Sequence, residues 1–457
     1  MIFYKIFHIL LDAGPTVMLP FMIFFIGLIF KLKPAKAFKS GLTIGIGFAG
    51  IKMVIALLSS NLGPAAQQMV KNFGIHLDVL DVGWGAIAAI TWGSPIIAIL
   101  IFGILAINIV LLILKKTETL DVDIWNYHHL AIVGVLTYFT TKSVVLGVLA
   151  TLTTAVVTFK LSDWSAPLVE KYFELDGVSL PTLSAVSSLI IAVPLNWLMD
   201  RIPFINKIHI DMKSAKKYLG LFGEPMMMGL ILGGGMGLLA KYDITKILTL
   251  AVNMAAVMLL LPKMTALFME GLMPISEAAK KMTKEKFKGR KFLIGIDAAV
   301  VVGNAEVMTT GLILIPLTIG LAFILPGNHM LPFADLAVVP FRIALVVALT
   351  GGNLFRSLVI GIAVMSAILL AGTNTSQALT GLASSSGINL SMAAGALIST
   401  FAGTSLTVSF IIYEVFIGNL LITVPLFIIG FAAIWIYMDK KEKKMKSVPL
   451  EEGATLN

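Results

Sequence analysis

The sequence predicts an all-α polytopic membrane protein with eleven transmembrane helices. Of its 457 residues, 58% are hydrophobic and only 13% are charged, whereas soluble globular proteins average about 25% charged residues. Several apolar runs reach about 17 to 20 residues, enough for a helix to cross a ~30 Å hydrocarbon layer. The alternating pattern that predicts a β-barrel is not seen in this sequence, and helices satisfy their own backbone hydrogen bonds in lipid.

The predicted spans form a single membrane-embedded domain over residues 1–457. The first helix shows no small-residue cleavage site, so we expect it to be retained. The spans cover residues 15–31, 41–59, 94–114, 128–140, 143–160, 224–240, 246–262, 306–324, 335–350, 356–372 and 420–437.

Basic residues cluster in five regions, 31–39, 115–116, 200–217, 263–291 and 440–446. Cytoplasmic loops of membrane proteins carry an excess of Lys and Arg. All five regions fall on one side if the N-terminus is outside and the tail, 438–457, is cytoplasmic. The net charge of +9 is therefore explained by membrane orientation, and a nucleic-acid partner is not predicted.

A repeat runs through the chain at a spacing of 210 residues. Pro15 and Pro225 head the first and sixth spans, and Pro64 and Pro274 follow the second and seventh. Five spans in each half would invert the second repeat relative to the first, which is the plan of many transporters. We expect repeats at 14–200 and 223–410, followed by a last helix at 420–437.

Two glycine-punctuated stretches, residues 81–95 and 293–306, are too short to span alone. Irregular backbone at membrane depth is tolerated only where protein or a water-filled cavity covers it. Both stretches are therefore predicted to be re-entrant hairpins, one entering from each side.

Ionisable residues in apolar segments are functional candidates because they are costly to bury. Glu224 stands before Pro225 at the start of the sixth span, where it could accept a hydroxyl or act as a base. The alternative is a carboxylate that caps the positive end of the helix. Asp297 lies in the second hairpin, where it could accept hydrogen bonds from hydroxyls or cap a half-helix.

His128 and His129 begin the fourth span. An unperturbed His titrates near neutrality, so His129 could accept a proton. The alternative is an interfacial pair within an aromatic belt that includes Trp125 and Tyr127. His128 is the weaker candidate, because adjacent helical side chains point about 100° apart. A metal site is not predicted, since adjacent residues do not share a helix face.

The hairpins also contain polar candidates for substrate contact: Thr91 and Trp92 in the first, and Asn304 in the second. Packing at the membrane interface is the alternative for Trp92. Arg342 is expected to form a structural ion pair, although it could meet a phosphate. Asn353 and Arg356 are predicted to lie at the cytoplasmic end of the ninth span.

Several chemistries are excluded by the sequence. It contains no cysteine, so thiol nucleophiles, disulfides and thiolate metal sites are ruled out. The run GGGMG at 233–237 lacks the Lys-Ser/Thr of a nucleotide-binding loop and is typical of close helix packing. No cofactor is predicted.

Eight stretches occur in an order that resembles a known family. The chain is similar to the galactitol-type enzyme IIC permeases of the bacterial phosphoenolpyruvate-dependent sugar phosphotransferase system, which are related to ascorbate-type permeases. The resemblance covers about residues 10–360 and continues more thinly to the C-terminus. Its stretches are DAGPTVMLP, GLTIGIGFAGI, LDVGW, DVDIWN, FGEP, FLIGID, PGN followed by LPFADLA, and GGNLFRSL.

The resemblance implies a homodimeric, inverted-repeat permease in the bacterial plasma membrane. Such a permease moves a sugar or alditol inward while a cytosolic IIB protein phosphorylates it from a phosphocysteine. Glu224 matches the Glu-Pro motif of such permeases, and His129 matches a histidine after DIWN. With Asp297 they form the expected catalytic set. The expected substrate contacts are Thr91, Trp92, Thr182, Asn304 and Gly352.

Thr182 and Asn304 depart from the family pattern, because histidines are expected at both positions. An alditol other than galactitol, or a pentitol, is therefore an open alternative for the substrate. An ion-coupled secondary transporter that uses Asp297 or Glu224 as proton carrier is the alternative function, and a non-transporting membrane sensor is less favoured.

Overall fold

The first half of the chain is a series of helices interrupted by three very short strands. A computed structural model describes residues 15–72, 77–123, 127–210, 225–286, 292–332, 334–385 and 397–447. In the first half the elements are α1 (Pro15–Ile29), α2 (Pro34–Asn72), β1 (Val79–Asp81), α3 (Gly83–Trp92), α4 (Ile97–Ile113), β2 (Thr119–Asp121), α5 (Tyr127–Thr141), α6 (Val144–Phe173), β3 (Val178–Ser179), α7 (Leu183–Val186) and α8 (Leu189–Met199).

The second half follows nearly the same order of elements. It contains α9 (Pro225–Leu239), α10 (Ile244–Lys286), β4 (Leu293–Gly295), α11 (Ala299–Val302), α12 (Ala305–Ile324), β5 (Met330–Leu331), α13 (Val339–Leu349), α14 (Leu354–Ser385), β6 (Leu397–Ser399), α15 (Thr407–Ile417) and the last helix, α16 (Leu420–Ser447).

The two longest helices, α2 and α10, pack against each other in antiparallel directions. A Cβ at Gly47 would lie 2.6 Å from Phe268 N, and one at Gly271 would lie 2.8 Å from Ile44 N. Glycine is needed at both positions because the backbones approach too closely for a side chain. Nearby, Asn253 Nδ2 donates to Asn61 Oδ1 at 2.7 Å.

The turns that lead into α2 and α10 are built in the same way. Lys31 and Lys241, which are 210 residues apart, both adopt left-handed φ values, of 63° and 52°. Lys31 N donates to Leu28 O and Lys241 N donates to Leu238 O, each at 2.9 Å. Gly233 lies against Leu250 of α10, which confirms that the glycine-rich run in α9 serves close helix packing.

The strands form two parallel three-stranded sheets, and each sheet contains strands from both halves of the chain. The first sheet has the order β5-β1-β6, and the second has the order β2-β4-β3. Each central strand therefore comes from one half and both outer strands come from the other. Strands of two or three residues are too short to give a periodic pattern, so the all-α prediction missed them.

Both stretches predicted as hairpins contain a short helix followed by a break. In the first, α3 and α4 meet at an angle of 98°. In the second, α11 has only four residues and is followed by Asn304 and α12. Each short helix follows the central strand of a sheet, so the sheets bring both stretches into the interior.

Each of the eleven predicted spans coincides with a helix, but several helices are longer than predicted. α2 has 39 residues and α10 has 43, so the basic region 263–291 is largely helical. Among the described residues, five helices are long and apolar enough to cross a membrane, or six if α3 and α4 count as one bent span. α13 is buried along most of its length, whereas none of the apolar span of α16 is buried.

Candidate functional site

Asp297 occupies the turn between β4 and α11. Its Oδ1 accepts a hydrogen bond of 2.6 Å from Ala299 N, which orders the start of α11. The side chain is half-buried, and the carboxyl of Asp121 at the end of β2 is close enough to interact with it electrostatically. Two carboxylates at a buried site are stabilised by hydroxyl donors. Such donors could come from a ligand.

Thr182 is joined directly to the Asp297 turn. Its buried Oγ1 accepts a hydrogen bond of 2.8 Å from Ala298 N. Thr182 precedes α7, so this bond ties the start of α7 to the turn between β4 and α11. The hydroxyl proton of Thr182 can still be donated elsewhere.

Trp92, His128 and His129 form an aromatic group where α3 meets α5. The ring centroids of Trp92 and His128 are 6.5 Å apart, and those of His128 and His129 are 4.1 Å apart. His128 is buried and His129 is half-buried. Thr91 is also buried, and its hydroxyl donates to Ile87 O at 2.7 Å. His128, which the sequence analysis ranked below His129, therefore lies between the Trp92 and His129 rings.

Tyr127 connects the aromatic group to the carboxylates. It is the first residue of α5, and its hydroxyl donates to Asp121 O at 3.2 Å. His128 and His129 follow it directly, while Asp121 lies beside Asp297. Among the residues that the structure describes, no hydrogen-bond partner reaches His129 Nδ1. A ligand hydroxyl could satisfy this buried nitrogen.

Asn304 and Gly352 lie near the start of α12. Asn304 caps α12, because its Oδ1 accepts from Val307 N at 3.1 Å. Gly352 has a φ of +80°, and a Cβ there would lie 2.7 Å from the Tyr172 hydroxyl and 3.5 Å from Glu306 Cγ. Glu306 is a half-buried carboxylate that sequence reasoning missed. The sequence indicated Glu306 only by a charged residue in the first turn of an apolar helix.

Buried hydroxyls also lie where helical elements are interrupted. Ser94 stands between α3 and α4, Ser187 between α7 and α8, and Thr404 just before α15. Within the described part of the chain, none of these three hydroxyls has a hydrogen-bond partner. Buried polar groups in native structures nearly always have one, so these positions are suited to a polar ligand. Single Ser and Thr residues in apolar sequence gave no signal for them.

Comparison with known proteins identifies the family. Residues 9–395 match the family EIIC-GAT, described as "PTS system sugar-specific permease component". The chain belongs to this family.

Relatives cover almost the whole chain. It is 37% identical over 437 residues to the PTS system galactitol-specific EIIC component of Escherichia coli strain K12. This alignment covers 95% of this chain and 96% of that protein. The values for the same component of E. coli O157:H7 are equal. A putative permease IIC component of strain K12 is 38% identical over 367 residues, or 80% of this chain and 84% of that protein.

Family membership confirms the resemblance seen in the sequence, and it does not favour an ion-coupled secondary transporter. The family and the apolar helices together make the chain a multi-pass protein of the bacterial inner membrane.

Arg342 of the permease has a structural role, as expected. It is buried, and its Nε and Nη2 donate to Phe401 O at 2.9 and 2.6 Å. Its Nη2 lies 3.9 Å from Asp335 Oδ2. Asp335 in turn accepts from Trp84 N at 2.9 Å, and Asp335 N donates to Asp81 Oδ2 at 3.0 Å. This network fixes the start of the 81–95 stretch to the second half of the permease.

Asn353 and Arg356 anchor the segment that links the two halves of the permease. Asn353 Nδ2 donates to Ile208 O at 2.7 Å. Arg356 Nη1 donates to Asp200 Oδ1 at 2.5 Å and to Asn196 Oδ1 at 3.2 Å. The end of α8 and the residues after it are thus held to the start of α14.

Glu224 lies outside the described residues, which resume at Pro225. Within the described ranges, no group of three His, Cys, Asp or Glu residues could hold a metal ion. The site is therefore described by carboxylates, histidines, hydroxyls and one indole ring.

Proposed function

We propose that this chain carries galactitol or a related alditol inward and presents it to a separate IIB protein for phosphorylation. The observation that carries the proposal is the 37% identity to a galactitol-specific EIIC component over 95% of the chain. Because the identity extends across nearly the whole length of both proteins, it supports a shared transport function.

The chemistry of the candidate site suits an alditol. Asp297 supplies a carboxylate for hydroxyl donors. The face of Trp92 can pack against the C–H groups of the alditol. His129 supplies a ring nitrogen, and Thr182 both orders the Asp297 turn and retains a donor. Thr91, Asn304 and Gly352 complete the proposed contacts. The buried hydroxyls of Ser94, Ser187 and Thr404 would add donors and acceptors for a ligand that is rich in hydroxyls.

Phosphoryl transfer is assigned to Glu224 and to the partner. The chain contains no cysteine, so the phosphocysteine must belong to the IIB protein. Glu224 would hold or deprotonate the acceptor hydroxyl, with His129 and Asp297 as the other proposed acid–base groups. The phosphorylated product is trapped because a dianion does not cross an apolar path.

The architecture that we propose has two inverted five-helix repeats, 14–200 and 223–410, and eleven spans. Two observations support it. Each sheet combines strands from both halves, and Lys31 and Lys241 adopt the same left-handed conformation in equivalent turns. We place the N-terminus outside and the C-terminal tail in the cytoplasm, from the five basic clusters. We also propose a homodimer, on the basis of the family resemblance.

Reconstitution in vesicles tests the function. Purified protein with phosphorylated IIB should accumulate alditol phosphate inside, and this should persist when proton and sodium gradients are collapsed. A panel of galactitol, other hexitols and pentitols identifies the substrate. Accumulation of unmodified alditol that ignores IIB and disappears with the gradient would overturn the proposal.

A further inference from the structure

The last helix, α16, leaves an apolar groove between itself and α6. The groove has a volume of about 290 Å³. Except for Thr153, its walls are apolar or aromatic side chains. The α6 wall is Leu149, Leu152, Thr153, Val156 and Val157, and the α16 wall is Phe427, Ile428, Phe431, Ala432 and Trp435.

The groove opens towards the surroundings of the protein. Leu149 is 45% exposed and Ile428 is 58% exposed, although both line the groove. None of the apolar span of α16 is buried, so this helix stands at the periphery. In a membrane protein the medium at such a surface is lipid, and a lipid chain is the apolar species present at the highest concentration.

One end of the groove is fixed by a charged and aromatic cluster. Lys160 Nζ lies 4.7 Å from the ring centroid of Trp435 and 5.4 Å from that of Trp164. The same ammonium is 3.6 Å from Asp163 Oδ2, and Trp164 packs near Phe431 with ring centroids 6.4 Å apart. Because Lys160 already has these partners, it holds Trp435 in place as the end wall of the groove.

Just beyond this wall the sequence becomes strongly basic. The helix continues from Trp435 to Ser447, and residues 439–446 contain five lysines against Asp439 and Glu442. At a rise of about 1.5 Å per residue, Lys440 and Lys444 follow Trp435 by about 7 and 14 Å along the helix axis. A lipid with acyl chains and an anionic headgroup matches an apolar groove whose wall helix continues into a basic sequence.

We infer that the groove between α6 and α16 binds an anionic phospholipid. An acyl chain occupies the groove, and the anionic headgroup is favoured by the basic sequence that follows Trp435. This site is independent of the transported solute and of the phosphoryl donor, so it stands apart from the proposed function.

Native mass spectrometry of the purified full-length protein tests the inference. The probes are phosphatidylglycerol and phosphatidylethanolamine with identical acyl chains. The parent protein should retain phosphatidylglycerol with a preference of about fivefold or more, the scale of one engaged lysine. Ala432→Trp fills the groove and should abolish the preference. Ile429→Trp adds the same bulk to an exposed position on the same helix and should keep it.

The charge is tested separately with two matched sets of substitutions. Replacing Lys440, Lys441, Lys443 and Lys444 with Gln should remove the preference for phosphatidylglycerol. Replacing the four exposed lysines of the α1–α2 region, Lys31, Lys33, Lys36 and Lys39, should leave it intact. Size-exclusion profiles and melting temperatures verify that each variant is folded.

Three results would overturn the inference. Equal retention of both lipids by the parent would mean that only bulk lipid adheres. A preference that survives Ala432→Trp would place the lipid elsewhere. A dimer that Ala432→Trp dissociates, with no lipid retained by the parent, would show that a second copy of the chain covers the groove.

Discussion

At the scale of single residues, the ionisable groups inside the fold have different surroundings. Arg342 donates to two backbone carbonyls and pairs with Asp335, so its hydrogen-bonding capacity is largely used within the fold. Asp297 is half-buried, accepts a hydrogen bond from Ala299 N and interacts electrostatically with Asp121. A carboxylate has room for several hydrogen bonds, so Asp297 can accept from a ligand hydroxyl in addition to Ala299 N.

Asp297→Asn should weaken alditol binding by about 1–3 kcal/mol, the value of a hydrogen bond to a charged group. That corresponds to an increase in Kd of about 5- to 150-fold. Asparagine keeps an oxygen that can accept from Ala299 N, so the turn before α11 should survive. Isothermal titration of purified protein with the alditol panel measures the change.

Asp243→Asn is the matched control. Asp243 also accepts a backbone hydrogen bond, from Lys246 N at 3.0 Å, but it is exposed at the start of α10. Its replacement should leave Kd unchanged. Equal affinities for the parent and Asp297→Asn would remove Asp297 from the binding site.

At the scale of elements, the sequence predicted helices well and missed the strands. Each of the eleven predicted spans overlaps a helix, because lipid allows few other structures, but the fold also contains short helices outside those spans, such as α8 and α15. The strands have two or three residues and pair over long distances, such as Val79 with both Met330 and Leu397. Pairing of this kind depends on where the rest of the chain folds, so no local pattern reveals it.

The contacts within the candidate site were predictable only in part for the same reason. Asp297 and His129 could be proposed as candidates because charge and imidazole are rare in apolar segments. The structural role of Thr182 could not be predicted, because its hydroxyl accepts a hydrogen bond from Ala298 N in the other half of the chain. The pairing of Trp92 with His128 likewise requires α3 and α5 to be placed side by side.

Thr182→Val should lower the melting temperature of the protein without substrate. Valine has a similar shape but cannot accept the hydrogen bond, and a buried N–H that loses its partner costs about 1–3 kcal/mol. Thr182→Ser should stay near the parent value, because it restores the acceptor. Thermal unfolding in detergent, followed by intrinsic tryptophan fluorescence, measures the difference.

Thr137→Val is the control for this prediction. Thr137 is also buried, but its hydroxyl only donates to Val133 O within its own helix, so its loss leaves no orphaned backbone donor. A parent-like melting temperature for Thr182→Val, together with weaker alditol binding, would show that Thr182 acts on the substrate alone and does not order the Asp297 turn.

At the scale of the whole molecule, the two halves are interlocked rather than joined end to end. Each sheet needs strands from both halves, and α2 packs along α10. The Asp81–Asp335–Arg342 network adds a third connection. Two halves linked in this way are expected to fold as one unit, and the element order of the second half is consistent with the inverted repeat that we propose.

Labelling of single cysteines tests the inversion directly. Lys36 and Lys246 are 210 residues apart, and each is exposed in the first turn of its helix, α2 or α10. If the repeats are inverted, these equivalent positions lie on opposite sides of the membrane. The parent chain has no cysteine, so Lys36→Cys and Lys246→Cys each introduce one thiol without background.

A membrane-impermeant maleimide should label Lys246→Cys in intact cells and spare Lys36→Cys, because the basic 31–39 region is predicted to be cytoplasmic. Both variants should react once the membrane is permeabilised, which verifies that each thiol is accessible. The opposite pattern in intact cells would reverse the orientation but keep the inversion. Equal labelling of both positions in intact cells would contradict the inverted repeat, since two copies in the same orientation place equivalent residues on the same side.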